Sequence, residues 1–207
     1  MRERKGAGGF CGVAAHYDRL IDEGNDPVRD GETLRAYMDK WDGQLFLDLL
    51  ALKPDDDVLE IGVGTGRLAL RTSPLCRSLT GIDLSQKTVE RARENLAGLG
   101  NVTLICGDFL TCRFERTFDV VYSSLTFLHI REKRRAVEKA AALLKAHGRL
   151  VVSLDKNPSP VIDFGDRRIE VYPDTPDATR EAFAGAGLRA VSVKETEFAY
   201  IVYGEKP

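Results

Sequence analysis

Glu60 stands two residues ahead of three glycines at alternate positions, Gly62, Gly64 and Gly66, and Asp83 follows about 20 residues beyond that cluster. The glycines close an apolar run, Val58-Leu59-Glu60-Ile61, and precede an apolar-rich stretch from Arg67 to Leu70. This pattern predicts a buried strand, a tight turn and the start of a helix. A backbone that turns sharply and also lies flush against a ligand needs positions without a Cβ. Free N–H groups at a helix start then bind polar or anionic ligand atoms. Asp83 closes a second apolar run, Leu79-Thr80-Gly81-Ile82, where a carboxylate can accept hydrogen bonds from both hydroxyls of a ribose. Such charge-assisted bonds are worth roughly 1.5–3 kcal/mol each. The alternative for Asp83 is a helix N-cap, a role that Ser85 can itself fill.

The glycine spacing separates two classes of nucleoside ligand. A dinucleotide site asks for Gly-x-Gly-x-x-Gly, and its third glycine falls here at Arg67. A third strand, Val102 to Cys106, ends in Gly107-Asp108-Phe109. A fourth, Phe118 to Tyr122, runs into Ser123-Ser124-Leu125-Thr126-Phe127-Leu128-His129. A fifth unit, Leu143 to Ser153, reads as a helix end, a glycine stop at Gly148 and a strand.

In this order the units resemble the class I S-adenosylmethionine (SAM)-dependent methyltransferases over about residues 55 to 205. The resemblance implies a doubly wound α/β fold. Its seven-stranded sheet is mostly parallel with an antiparallel C-terminal strand pair, helices on both faces and an N-terminal helical cap. It implies SAM as cofactor and S-adenosylhomocysteine (SAH) as product. Glu60, Gly62, Gly64 and Gly66 would serve the methionine end, Asp83 and Leu84 the ribose, and Gly107, Asp108 and Phe109 the adenine. Ser123 would lie in the loop on the methionine and substrate side. Tyr17-Asp18 resembles an early Tyr-Asp pair whose tyrosine lies over the cofactor; the alternative is that Tyr17, like Tyr37 and Trp41, is a core aromatic. The loop after the fourth strand lacks the Asn/Asp-Pro-Pro-Tyr/Phe motif of enzymes that grip an amino group on adenine or glutamine. That leaves a small-molecule acceptor methylated at oxygen, nitrogen or carbon.

The elements that must position these residues follow from pattern. With 207 residues and 43% hydrophobic content, the chain reads as one domain, residues 1–207, with ample core. A helical cap is expected over about 10–52 and the Rossmann-like core over about 55–205. The cap reads as two helices, Ala14 to Glu23 and about Glu32 to Leu50, the second with an apolar face of Leu34, Tyr37, Trp41, Leu45 and Leu49. Met1 to Gly9 reads as a polar, frayed start. Val161 to Tyr172 suggests a hairpin or hooked loop that overhangs the ligand end. Thr175-Pro176 opens a last helix closed at Gly187. Strands from about Arg189 to Thr196 and Phe198 to Gly204 then pair without an intervening helix.

His129 is the best candidate for a catalytic base, since it follows the fourth strand and titrates near neutrality. The alternative is a role in starting the next helix. His16 is a weaker candidate. His147 is expected to meet the last carbonyls of a helix, and Arg131 to Arg135 to be a solvated helix face.

A net charge of −2 gives no basic field for a nucleic-acid backbone. No apolar run reaches membrane-spanning length and no secretory pattern opens the chain. Cys11, Cys76, Cys106 and Cys112 lack metal-type pairing, so reduced thiols in a cytoplasmic protein and no metal site are expected. The rival readings are a non-catalytic SAM-binding sensor or scaffold, and a nicotinamide-dependent oxidoreductase, which the glycine spacing disfavours. The sequence identifies neither the acceptor nor the oligomeric state, monomer or homodimer.

Overall fold

The computed structural model describes residues 9–207. The chain enters through a two-residue strand, β1 (Gly9–Phe10), and three helices, α1 (Val13–Asp22), α2 (Glu32–Asp42) and α3 (Gln44–Leu50). Strand and helix then alternate: β2 (Asp57–Ile61), α4 (Ala69–Thr72), β3 (Ser78–Asp83), α5 (Gln86–Asn95), β4 (Val102–Cys106), β5 (Phe118–Ser123), α6 (Lys133–Leu143) and β6 (Leu144–Asp155). A hairpin of β7 (Val161–Asp163) and β8 (Arg167–Glu170) precedes α7 (Pro176–Gly185), β9 (Arg189–Glu195) and β10 (Ala199–Glu205). The main sheet has the order β4-β3-β2-β5-β6-β10-β9. Strands β2 to β6 run parallel, and β10 lies antiparallel to both β6 and β9. This is the expected doubly wound sheet with its C-terminal antiparallel pair. Among the described residues no helix is long and apolar enough to cross a membrane.

Strand alternation divides the core between the two faces. Leu59 and Ile61 of β2 join a cluster with Ala136 and Val137 of α6 and Phe183 of α7. Val58 joins the other with Phe46 and Leu50 of α3 and Ala92 of α5. The chain order reverses between β2 and β5, the two strands that start the two halves of the sheet. The crevice beyond their carboxyl ends is where open α/β sheets bind ligands.

Several local expectations give way to tertiary contacts. The single helix expected over Glu32 to Leu50 breaks at Gly43, whose ψ of −147° leaves the helical region. A Cβ there would sit 2.6 Å from the Asp39 carbonyl oxygen. The break turns Phe46 and Leu50 into the core while Leu34, Tyr37 and Leu45 stay largely exposed. Residues 1–8 lie outside the described residues, but Gly9, expected to fray, pairs with Arg167 in a second sheet of order β1-β8-β7. The hairpin does form, yet it rests on α1 and does not overhang the ligand end. Arg167 Nε donates to His16 Nδ1 at 3.0 Å, Arg167 pairs with Glu23 at 2.8 Å, and the Phe164 ring lies 4.3 Å from that of His16. His16 is thus a structural partner of Arg167. His147 does not cap α6: its backbone is left-handed, with φ of 62°, and Lys206 Nζ donates to Ala141 O at 3.0 Å and Leu144 O at 2.6 Å. Within the basic run, Lys133 is not solvated but donates to Phe127 O at 3.1 Å and faces Asp174 at 3.7 Å.

At the amino end of β2, Asp57 accepts from Arg77 Nε at 3.0 Å, Ser78 Oγ at 2.7 Å and Lys145 Nζ at 2.9 Å, and also pairs with Arg116. The Arg77 guanidinium above all holds its carboxyl well below the usual carboxylate range. An aspartate depressed in the folded state contributes stability above its unfolded pKa and loses it as pH falls toward the folded value. Asp57→Asn should therefore cost about 1–2 kcal/mol at pH 7, a figure reduced for the partial exposure of the three cations. In chemical denaturation the gap to the parent should narrow between pH 5 and pH 3; a constant gap would contradict the charge role.

Candidate cofactor and substrate site

The turn after β2 is left-handed at all three glycines, with φ of 78° at Gly62, 55° at Gly64 and 95° at Gly66. Ile82 O accepts from Gly62 N at 2.8 Å and Val63 N at 3.1 Å, which pins the turn to the end of β3. The space around each glycine differs. A Cβ at Gly62 would lie 1.9 Å from Thr126 Oγ1, and one at Gly66 would lie 2.9 Å from the Leu96 side chain, whereas one at Gly64 would meet nothing within 4 Å. Gly62 thus admits the loop after β5, Gly66 admits α5, and Gly64 faces open space. The helix that follows, α4, has only four residues, so the free N–H groups belong to the turn more than to a helix end.

A cavity of about 510 Å³ opens over these strand ends. That lies within the roughly 300–1,000 Å³ usual for small-molecule sites. Three acids reach it from adjacent strands. Glu60 of β2 is 2% exposed and accepts from Tyr122 Oη at 2.8 Å. Burial pushes its carboxyl up to about 8. Asp83 accepts from Gly64 N and Ser85 N, each at 3.0 Å, and burial raises its pKa despite those bonds. Asp108, beyond β4, is exposed, and its Oδ1 accepts from Leu110 N at 2.7 Å. Phe109 beside it is buried, while Leu84 lies open at the rim. Gly107 lines the same wall, and a Cβ there would meet nothing within 4 Å.

The helical cap closes the opposite wall. Tyr17 of α1 lines the cavity, and its hydroxyl lies 2.8 Å from His129 Nε2. Burial raises the Tyr17 pKa and pushes His129 down to about 4. His129 Nδ1 is buried without a partner among the described residues. Asp18 does not face the cavity; it accepts from Ser85 Oγ at 2.7 Å and Lys87 N at 3.0 Å and so caps α5 from the side.

Two expected residues stand back from the cavity. Gly66 packs against α5, and Ser123 donates its hydroxyl to Ile61 O at 2.8 Å in the sheet interior. Ser124 lines the wall in place of Ser123. Arg67 and Asp42 are not among the expected site residues, whereas Leu125 belongs to the loop after β5 expected on this side. Arg67 lines the cavity and pairs with Asp42, whose carboxylate also accepts from Ser124 Oγ. Leu125 takes a left-handed φ of 53° where the loop passes the cavity. Strain of that kind clusters at binding sites, but no residue type announced it. The one sequence signal was Arg67 itself, a cation directly after the last glycine.

The donor set fits an adenosyl cofactor. Open space at Gly64 and Gly107 gives a ligand close access to backbone, and Asp83 keeps lone pairs free beyond its two amide bonds.

A family model described as a methyltransferase domain matches residues 58–148. An uncharacterized methyltransferase of Bacillus subtilis (strain 168) is 29% identical, over 91% of this chain and 92% of the relative. Another, from Anoxybacillus flavithermus, is 35% identical over 56% of this chain, which spans only 55% of that relative's length. In structure the chain is similar to the N-methyltransferase NodS from Bradyrhizobium japonicum WM9, solved with SAH. The TM-score is 0.73 at 16% identity, covering 95% of this chain and 100% of NodS. At that identity the likeness shows the fold.

The spatial reading of the glycines is testable. Gly62→Ala and Gly64→Ala both place an alanine at positive φ, but only the first collides with Thr126. Gly62→Ala should destabilise by about 1–3 kcal/mol more than Gly64→Ala in urea titration. Equal losses would mean that backbone strain, not the approach of the β5 loop, accounts for Gly62.

Proposed function

We propose that this chain is a class I SAM-dependent methyltransferase, a reading supported by the methyltransferase-domain match over residues 58–148 and the Bacillus subtilis relative, and that it transfers a methyl group to an oxygen, nitrogen or carbon nucleophile of a small molecule. The observation that carries this reading is the convergence of the glycine turn and three strand-end acids on one cavity closed by Tyr17 and His129. When bound, SAM supplies a methyl group already activated by a sulfonium leaving group.

The chain's own residues have the remaining tasks. Asp83 accepts from the ribose hydroxyls beside Leu84, and Gly107, Asp108 and Phe109 hold the adenine. Gly62 and Gly64 let the turn lie against the methionine end, and Glu60 braces it. Tyr17 covers the cofactor and fixes the His129 ring through their 2.8 Å contact. Burial lowers the His129 pKa to about 4 and keeps that ring neutral at pH 7; as a base it is weak, and it takes the nucleophile's proton only as attack makes that proton acidic. Leu20, Ile21, Leu34, Met38 and Ile130 give the acceptor side an apolar lining. They exclude water and suit an acceptor with an apolar body.

Calorimetric titration with SAM, SAH and NAD is the direct test of the cofactor. Micromolar binding of the two adenosyl ligands without NAD supports the reading, and NAD binding alone overturns it. A screen of methyl acceptors then separates an enzyme from a SAM sensor. Asp83→Ala should weaken SAH by at least about tenfold, through loss of two charge-assisted bonds. His129→Gln should hold SAH affinity within about threefold while lowering turnover about 100-fold. A folded Asp83 variant with parental affinity would remove Asp83 from the ribose. A His129 variant with parental turnover would remove the base.

A further inference from the structure

Arg67 and Asp42 form a charge pair whose geometry is incomplete. Asp42 ends α2, is fully buried, and reaches across from the cap to the residue that follows the glycine turn. Only its Oδ2 is used: Arg67 Nη2 and Ser124 Oγ both donate to that one oxygen. Asp42 Oδ1 is buried with no partner among the described residues. The Arg67 side chain is 15% exposed, and among the described residues its Nη1 finds only Asp39, at 3.8 Å.

A buried pair kept for stability alone gains most from the two-pronged arginine–carboxylate geometry with every lone pair used. Here one carboxylate oxygen is bare, and the guanidinium keeps donors to spare on a cavity wall. The deficiency sits at the Glu60 end: the charges of Arg67 and Asp42 act in opposite senses on the Glu60 carboxyl. Buried donors and acceptors left open beside a cavity call for a ligand group of matching polarity. On the cavity wall, spare guanidinium N–H groups of Arg67 call for an anion, while the Glu60 carboxyl calls for a cation. An amino-acid zwitterion carries both.

We propose that Arg67, held by Asp42 of the helical cap, receives the α-carboxylate at the amino-acid end of the cofactor, so that the cap completes the cofactor site. This assignment rests on the SAM reading. Asp42 acts as a positioning residue. It also ties Arg67 to Ser124, whose Oγ lies 2.9 Å from Ser153 Oγ; Ser153 in turn accepts from the Leu125 amide at 3.2 Å. The receptor and the strained loop are therefore set by the same cap carboxylate.

SAH and 5′-methylthioadenosine separate this role from general cofactor binding. Both carry the thioether-linked adenosine, and only SAH has the amino-acid carboxylate and ammonium. Calorimetry should show the parent binding SAH at least about 30-fold more tightly, equivalent to about 2 kcal/mol. Arg67→Met should bring SAH to within about threefold of methylthioadenosine while leaving the latter unchanged, which also certifies the fold. Arg67→Lys should recover part of the preference, and Asp42→Asn should lose part of it. An unchanged preference in Arg67→Met, or an equal loss of both ligands, overturns the proposal and leaves the SAM reading standing. Binding of neither ligand by the parent overturns both.

Discussion

The hydrogen bond from the Gly64 amide to Asp83 joins the ends of two neighbouring strands, and the site is built around it. Gly64 can present its N–H there because its backbone is left-handed, a conformation a residue with Cβ enters only at a cost. Ile82 O takes two further amides from the same turn, so the segment after β2 is fastened to β3 by three donors. Gly81 makes the approach possible from below, since a Cβ there would come within 2.8 Å of the Val63 side chain. A slip of one residue between β2 and β3 would send Asp83 to the opposite face and undo all of it. Five register pairs from Asp57–Ser78 to Ile61–Ile82 exclude that slip.

Strand β2 carries an acid at each end, and their environments shift them in opposite directions. Asp57 meets two guanidiniums, an ammonium and a hydroxyl and is depressed far below the ordinary range. Glu60, three residues on, has one hydroxyl donor in a desolvated setting and is raised to about 8. A protein that needed only stability would satisfy both ends alike. The amino end is compensated and locks the strands together. The carboxyl end is left short of positive charge, as are Asp83 and one oxygen of Asp42. The depressed Asp57 belongs to a structural ion-pair network, whereas a carboxyl raised by burial on a cavity wall, as at Glu60, is a candidate functional position.

The sheet was legible because its signals are local. An apolar run ending in an acid, a glycine that stops a helix, and two apolar strands without a helix between them each announce themselves within ten or so residues. The site was legible for the same reason wherever its residues sit at strand ends, as Glu60, Asp83 and Asp108 do. What the sequence hid depends on partners far along the chain. Gly43 breaks a helix whose pattern reads as continuous, and on either side of the break Asp42 meets Arg67 and Phe46 enters the core. Lys206 takes the α6 carbonyls expected of His147, because β10 brings it back across the sheet. Ser123 and Ser124 are the same residue type in adjacent positions, so only strand alternation decides which one meets the cavity. Arg167 reads as one arginine of a surface hairpin until α1 supplies His16 and Glu23.

The cap is fastened to the strand-end loops and to α5 by polar contacts around the cavity. Asp18 meets Ser85 and Lys87. Asp26 accepts from Asn95, which also donates to Thr65 O in the glycine turn. Asp42 meets Arg67 and Ser124. Each bond that a cap carboxylate accepts here is worth about 1.5–3 kcal/mol, less where solvent reaches it. The α3 residues Phe46 and Leu50 are anchored by burial, and exposing each would cost about 1.5–3 kcal/mol. The cap is therefore held by apolar burial through α3 and by bonds to carboxylates through α1 and the end of α2. The strand ends supply the acids and backbone amides of one wall of the cavity, and α1 and α2 supply Tyr17, Leu20, Ile21, Leu34 and Met38 to the wall opposite.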